Sequence, residues 1–241
     1  MFVQRLTIDS ARFPCRDAYP FNLRLLQETG SLDLNAPVTF FAGENGSGKS
    51  TILYALARRC QIHIWQNTER SRGHVNVFED RLYECLDLEP CRSAIAGCCF
   101  SAEIFRGFAE RVDAWAASDP GLLAYFGGSS LTEKSHGQCN MAFFKSRFHR
   151  PGLYLLDEPE SALSARRQIE LLDILGETSA AGAQFVIATH SPILMSLPGA
   201  RLYSFDQCPV ARVDYRATDA YRLHAEFFRN LTEKAVGASG G

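Results

Sequence analysis

Apolar residues in this chain gather in short continuous runs separated by longer stretches with helical spacing. Val38–Ala42, Ala94–Phe100, Gly152–Leu156, Gln184–Ala188 and Arg201–Phe205 are runs of five to seven residues bounded by turn residues, the pattern of strands buried on both faces. Between and after them, Ser50–Arg59, Ala102–Trp115, Gly137–Phe148, Ala165–Gly176 and Ala220–Leu231 carry helical periodicity. Ile104, Phe105, Phe108 and Val112 share one face in the second of these, and Met141, Phe144 and Phe148 in the third. This alternation predicts an α/β fold with a mainly parallel central sheet flanked by helices. Two N-terminal runs, residues 2–8 and 20–26, read as strands of a separate antiparallel β part. Val210–Tyr215 reads as an edge strand. Residues 61–92 mix Trp65, Val75, Val77, Phe78, Leu82 and Leu86 with Arg, Glu and Asn, and predict loops with one short helix near 79–87. Residues 104–148, broken by a small-residue stretch at 116–130, predict a small helical lobe inserted in a single domain spanning 1–241. Residues 237–241 predict a flexible tail.

Composition narrows the classes. At 241 residues, 46% hydrophobic and 22% charged, the chain has the make-up of a soluble globular protein. The formal charge of −2 provides no global field for nucleic acid, so nucleic-acid binding is possible but unsupported by charge. The eight cysteines form no C-x-x-C pair and no His-spaced zinc pattern, and reduced thiols in a cytoplasmic setting are expected. The first ten residues alternate polar and apolar without a long apolar leader, and no run approaches 18 apolar residues, so no membrane insertion is expected.

The chemistry starts at Gly43-Glu44-Asn45-Gly46-Ser47-Gly48-Lys49-Ser50, which matches G-x-x-x-x-G-K-[ST] between a predicted strand and a predicted helix. In that context backbone N–H groups and the positive end of the helix dipole converge on an anion. Lys49 is suited to β- and γ-phosphates, and Ser50, with Thr51 beside it, opens the helix; the Ser50 hydroxyl is suited to Mg²⁺. A P-loop NTPase fold is therefore expected, with ATP and Mg²⁺ as ligands. No N-K-x-D motif occurs, which favours adenine over guanine.

Two strand ends add candidates. Leu153–Leu156 runs into Asp157 and Glu158, at the end of a strand where α/β sheets place ligands. Asp157 would hold Mg²⁺ through a bound water, and Glu158 would polarise the attacking water. Taken alone, the pair is equally an acidic turn. The run Phe185–Ala188 ends at Thr189 and His190, whose imidazole could bond a γ-phosphate; a lone His there is more often structural.

Together with Ser135-His136-Gly137-Gln138, these segments appear in the order found in ABC-type ATPases. Gly-x-Asn-Gly-Ser-Gly-Lys-Ser, Ser-His-Gly-Gln, Leu-Leu-Asp-Glu-Pro-Glu-Ser-Ala-Leu and Ala-Thr-His-Ser span residues 43–191. The chain resembles the small stand-alone bacterial AAA family ATPases that share ABC-type features with chromosome-maintenance and repair ATPases. The resemblance implies that Ser135, Gly137 and Gln138 form the signature motif, with His136 replacing a glycine, and that this motif meets the γ-phosphate held by a second protomer. An ATP-dependent head-to-tail homodimer follows, with a separate effector or repair partner possible. The resemblance also puts Glu103 where the family has a Gln beside the metal, and Ser164 where a loop Asp is usual. Tyr19 and Phe21 are the candidates for stacking on adenine, each also readable as core or turn. Two other functions fit the same motifs: a nucleotide-dependent switch or scaffold with little turnover, motivated by Glu103 and Ser164, and the ATP-binding subunit of a transporter with a separate permease.

Overall fold

A computed structural model describes residues 1–64, 76–90, 95–118, 121, 123, 130 and 135–238. Trp65, Val75, Cys91, Ala94 and most of the 116–130 stretch lie outside the described residues.

The strands are β1 (Arg5–Ile8), β2 (Ser31–Asp33), β3 (Val38–Ala42), β4 (Leu86–Glu89), β5 (Gly97–Ser101), β6 (Leu153–Asp157), β7 (Gln184–Thr189), β8 (Arg201–Ser204) and β9 (Ala211–Val213). The helices are α1 (Arg24–Glu28), α2 (Lys49–Arg59), α3 (Ala102–Ala116), α4 (His136–Arg147), α5 (Ala165–Ala180), α6 (Pro192–Met195) and α7 (Asp219–Ala238). Six strands form one sheet in the order β5-β6-β7-β3-β8-β9, parallel except for the antiparallel edge β9. Three more form an antiparallel sheet, β2-β1-β4.

The six-stranded sheet separates two cores, because successive side chains of a strand point to opposite faces. Phe41, Leu153, Leu155, Val186 and Ala188 face one side, packed with α2 and the antiparallel sheet. Phe40, Tyr154, Leu156, Phe185 and Ile187 face the other, packed with α4 and α5. Aromatic rings fill that second layer: Phe100 lies 5.2 Å from Phe105 and 4.8 Å from Phe144, and Tyr154 stacks 5.1 Å from Phe185. Phe105 and Phe143, with centroids 5.0 Å apart, tie α3 to α4, so the predicted helical lobe rests on β5.

Two expectations need correction. Residues 20–26 are not a strand. The backbone turns at 18–23, with Asn22 N–H donating to Ala18 O and Leu23 N–H to Pro20 O, and then forms α1, which buries Leu25 and Leu26. Pro20 cannot donate to a ladder, so a turn is the lower-cost conformation there. The helix expected at 79–87 is a single 3₁₀ turn, Leu82–Cys85, leading into β4. Leu86-Asp87-Leu88-Glu89 has the period-2 alternation of a half-buried strand and pairs with Arg5–Ile8.

Gly97 begins β5 opposite Leu153. A Cβ there would overlap the Leu153 carbonyl oxygen and lie 2.8 Å from Ile62 Cδ1. Gly97→Ala must push β5 away from β6, and overpacking of this kind costs about 3 kcal/mol. The expected result is a thermal midpoint lowered by roughly 6–12 °C in calorimetry.

Helix α7 leaves a contiguous apolar stripe in water: Leu223, Phe227 and Phe228 are 66%, 59% and 61% exposed, and Leu231 lies on the same face. Among the described residues no helix is long and apolar enough to cross a membrane. Among the described residues no cysteine is joined in a disulfide. Burial pushes Cys60 up to about 12 and Cys98 up to about 11, which leaves them protonated and inert.

Candidate active site

Strand β3 delivers the glycine-rich loop to the sheet's C-terminal edge. Gly43, Gly46 and Gly48 have φ of 150°, 79° and 95°. Gly48 sits immediately before α2 in the left-handed region, where a side chain would be strained and would also lie 2.7 Å from Leu25 Cδ2. Glycine is thus required for this turn, the kind of backbone from which loop N–H groups can cradle an anion. Asp206, just past β8, accepts from Glu44 N–H at 2.7 Å and pins the loop's outer edge. The open cleft outside that edge is lined by Glu44, Asn45, Gly46, Ser47, Phe205, Asp206 and Asp219; three carboxylates make it a poor seat for phosphate. The inner side carries Lys49.

The Lys49 side chain is buried. Its Nζ donates to Gly43 O at 2.6 Å, to Glu44 O at 2.7 Å and to Ser47 Oγ at 3.4 Å. Burial lowers its pKa, while Glu158, Asp206, Asp157 and Glu160 act to raise it. Ser50 Oγ donates to Asp157 Oδ1 at 2.8 Å, joining the start of α2 to the end of β6. One turn further along the same helix face, Tyr54 donates its phenol to Asp157 Oδ2 at 2.5 Å. Thr51 shares a hydrogen bond of 2.9 Å with the Tyr19 hydroxyl.

The donor set fits Mg²⁺. A hydroxyl and a carboxylate meet at the root of the loop, and Mg²⁺ is usually held by one or two such oxygens plus substrate phosphates. Among the described residues no cluster of three or more His, Cys, Asp or Glu could hold an ion unaided. Glu103 lies in the first turn of α3 with an exposed side chain. It is not among the partners of Asp157, whose oxygens are taken by Ser50 and Tyr54.

Beyond Asp157 the chain turns sharply. Glu158 holds a left-handed φ of 47°, uncommon for a side chain with a Cβ and sustained only by surrounding contacts. Its N–H donates to Ala188 O at 2.9 Å, and its Oε2 accepts from Ser161 Oγ at 3.3 Å. Its Oε1 lies 3.2 Å from His190 Nε2 at the end of β7, so imidazole and carboxylate form a half-exposed pair. Residues 158–163 then touch α4: Asn140 Nδ2 donates to Ser161 O at 3.2 Å, and Gly137 packs so tightly that a Cβ would lie 2.6 Å from Ala162 O.

Ser135 and Gln138 form a reciprocal capping box at the start of α4. Ser135 Oγ accepts from Gln138 N–H, and Gln138 Oε1 accepts from Ser135 N–H. Both side chains are exposed, so this helix start faces outward. Ser164 caps α5 by accepting from Arg167 N–H at 3.4 Å. Phe21 is fully buried, 4.8 Å from Phe13, and is unavailable to a nucleotide; Tyr19 remains partly exposed beside α2.

Sequence reasoning missed Tyr54, Asp206 and Glu160. Tyr54 was detectable from its spacing, since it falls four residues after Ser50. Glu160 stands in the Leu-Leu-Asp-Glu-Pro-Glu-Ser segment, but nothing there marks its contact with the end of β7, and nothing local marks Asp206.

Burial is the largest influence on Asp157 and raises its carboxyl above the usual range, with the bonds from Tyr54 and Ser50 opposing. Between the unfolded and the raised folded pKa, the folded state binds more protons. The stability of the fold therefore falls as pH rises through that window and stays reduced above it. Asp157→Asn, measured in EDTA, is expected to raise the thermal midpoint at neutral pH by roughly 2–4 °C, for about 1 kcal/mol. The gain should vanish below the carboxylate range. A midpoint at neutral pH no higher than wild type contradicts this account.

A family model described as "AAA domain" matches residues 21–60, and one described as "AAA domain, putative AbiEii toxin, Type IV TA system" matches residues 131–196. The chain is 32% identical over 187 residues to the cytochrome c biogenesis ATP-binding export protein CcmA of Paramagnetospirillum magneticum, covering 70% of this chain and 81% of that protein. It is 28% identical over 189 residues to the hemin import ATP-binding protein HmuV of Bradyrhizobium diazoefficiens, covering 69% of this chain and 68% of that one. Among solved structures, the SMC head domain from Thermotoga maritima is 18% identical with a TM-score of 0.47, over 88% of this chain and 98% of that one.

Proposed function

We propose that this chain, which belongs to the ABC-type ATP-binding proteins, hydrolyses ATP at the loop Gly43–Thr51 and does so between two copies of itself. The observation that carries the reading is the meeting of three strand ends: β3 with Lys49 and Ser50, β6 with Asp157 and Glu158, and β7 with His190. The loop N–H groups of Gly43, Asn45, Gly46, Ser47, Gly48, Lys49, Ser50 and Thr51 bind and orient the phosphates. The Lys49 ammonium exchanges its bonds to Gly43 O and Glu44 O for phosphate oxygens. Ser50 and Asp157 hold Mg²⁺, which when bound neutralises charge developing on the transferred phosphoryl group. Glu103, in the first turn of α3, is a further proposed metal contact. Glu158 accepts the proton of the attacking water. His190 fixes the Glu158 carboxylate and offers a hydrogen bond to the γ-phosphate.

The outward-facing start of α4 supports the dimer. Ser135, Gly137 and Gln138 present a capped helix N-terminus to solvent, an anion site suited to the γ-phosphate on a second copy. The whole chain acts as one domain, in the cytoplasm. Steady-state phosphate release by the wild-type chain, with Lys49→Ala as the blank, tests the reading; turnover no greater than the blank overturns it.

The export and import roles in the two relatives' names favour a second reading in which the chain energises a separate permease. Recovery of an integral membrane protein with the tagged chain, in an ATP-dependent manner, would select it.

A further inference from the structure

Glu160 lies two residues beyond Glu158 and has no part in the chemistry derived above. Its Oε1 accepts three donors from the end of β7: Thr189 Oγ1 at 2.7 Å, His190 N–H at 2.7 Å and Ser191 N–H at 3.2 Å. Its Oε2 is shut off from solvent and has no hydrogen-bond partner among the described residues. A buried carboxylate oxygen without a donor is costly, and burial raises the carboxyl's pKa; the bonds from Thr189 and His190 oppose that rise and are the compensating gain.

The gain is legible in what the three donors do. β7 ends at Thr189, which still pairs with Ala42, so the N–H groups of His190 and Ser191 lie beyond the ladder. Ser191 is also the cap of α6 and donates its hydroxyl to Gln168 Oε1 at 2.6 Å. His190 is thus held between a strand end and a helix start. Its own N–H is taken by Glu160, while its Nε2 lies 3.2 Å from Glu158 Oε1. One short turn therefore supplies both carboxylates, one gripping the histidine backbone and the other meeting its ring.

We infer that Glu160 is a positioning residue for His190: its carboxylate fixes the backbone that aims the imidazole at Glu158, and it acts on hydrolysis through His190. A hydrogen bond to a charged acceptor is about twice as strong as one to a neutral amide, and it fixes the backbone from which the imidazole extends, three bonds from the bonded nitrogen. The inference rests on the proposed hydrolysis for its kinetic reading and on geometry alone for its structural one.

A double-mutant cycle on the full chain separates this role from simple packing. The proteins are wild type, Glu160→Gln, His190→Ala and the double variant. Glu160→Gln preserves shape and one acceptor while removing the charge. Its kcat is expected to fall about tenfold, with KM for ATP changed less than twofold. In the His190→Ala background the same substitution should lower the residual kcat by less than twofold. Amide exchange at His190 and Ser191, followed by NMR on nucleotide-free protein, should accelerate roughly tenfold in Glu160→Gln. An equal loss of kcat in both backgrounds, or an unchanged kcat, overturns the action through His190. Unchanged exchange overturns the anchoring. If the wild-type chain itself shows no turnover, the proposed hydrolysis fails, and the exchange measurement still decides whether Glu160 holds this backbone. Should Glu160→Gln not fold, Glu160→Asp, which keeps the charge and shortens the reach, is read against the same outcomes.

Discussion

Glu158→Gln is expected to lower steady-state phosphate release about 10³-fold while leaving ATP binding intact. The amide keeps the size of the side chain and can still meet His190 Nε2 and Ser161 Oγ, so the left-handed turn at Glu158 survives. What is lost is an acceptor for the proton of the attacking water. ATP bound between two copies then has no exit by hydrolysis. Size-exclusion chromatography with ATP and Mg²⁺ should show the variant accumulating as a dimer, and EDTA should return it to monomer. A variant that remains monomeric at high concentration with ATP bound would sink the composite-site mechanism. A variant that turns over like wild type would remove Glu158 from the role of base.

Lys49→Ala is expected to weaken ATP binding about 100-fold or more, measured by titration calorimetry. Two charge-assisted hydrogen bonds to phosphate at about 1.5 kcal/mol each account for that factor. The substitution has a second cost specific to this loop. Lys49 Nζ donates to the carbonyls of Gly43 and Glu44 and so braces the glycine turn from inside. Removing it leaves both carbonyls without that donor and the loop free to open. Lys49→Met, which refills the buried stem volume, should recover thermal stability without recovering affinity. Recovery of affinity by Met would show that the stem, rather than the ammonium, does the binding.

The loop and the five buried strands were legible because their causes are local. A turn that demands positive φ at Gly43, Gly46 and Gly48 writes glycine into the sequence, and a strand buried on both faces writes a continuous apolar run. The ranges 94–100, 152–156, 184–188 and 201–205 each fall within a few residues of β5, β6, β7 and β8. The N-terminal part was less legible. β2 and β4 are three and four residues long, and α1 carries apolar residues that read equally well as a strand. At such lengths periodicity does not separate helix from strand, and packing against α2 and the neighbouring sheet decides. Phe21 shows the same limit: its chemistry suits a base-stacking residue, and only the fold buries it completely.

The sequence by itself determined the kinds of groups the site contains: a phosphate loop, a hydroxyl, two carboxylates and an imidazole at strand ends. Those identities follow from short segments whose backbone needs are met within a few residues. Only the tertiary structure decided which groups meet. Ser50 and Tyr54 reach Asp157 from more than a hundred residues away, Asp206 pins Glu44, and Glu160 grips the strand end that carries His190. Those contacts depend on the order and register of parallel strands, β6 beside β7 beside β3, which is set by burial over the whole sheet. The phosphate loop is local chemistry, and the arrangement that can hydrolyse what it binds is a property of the assembled sheet.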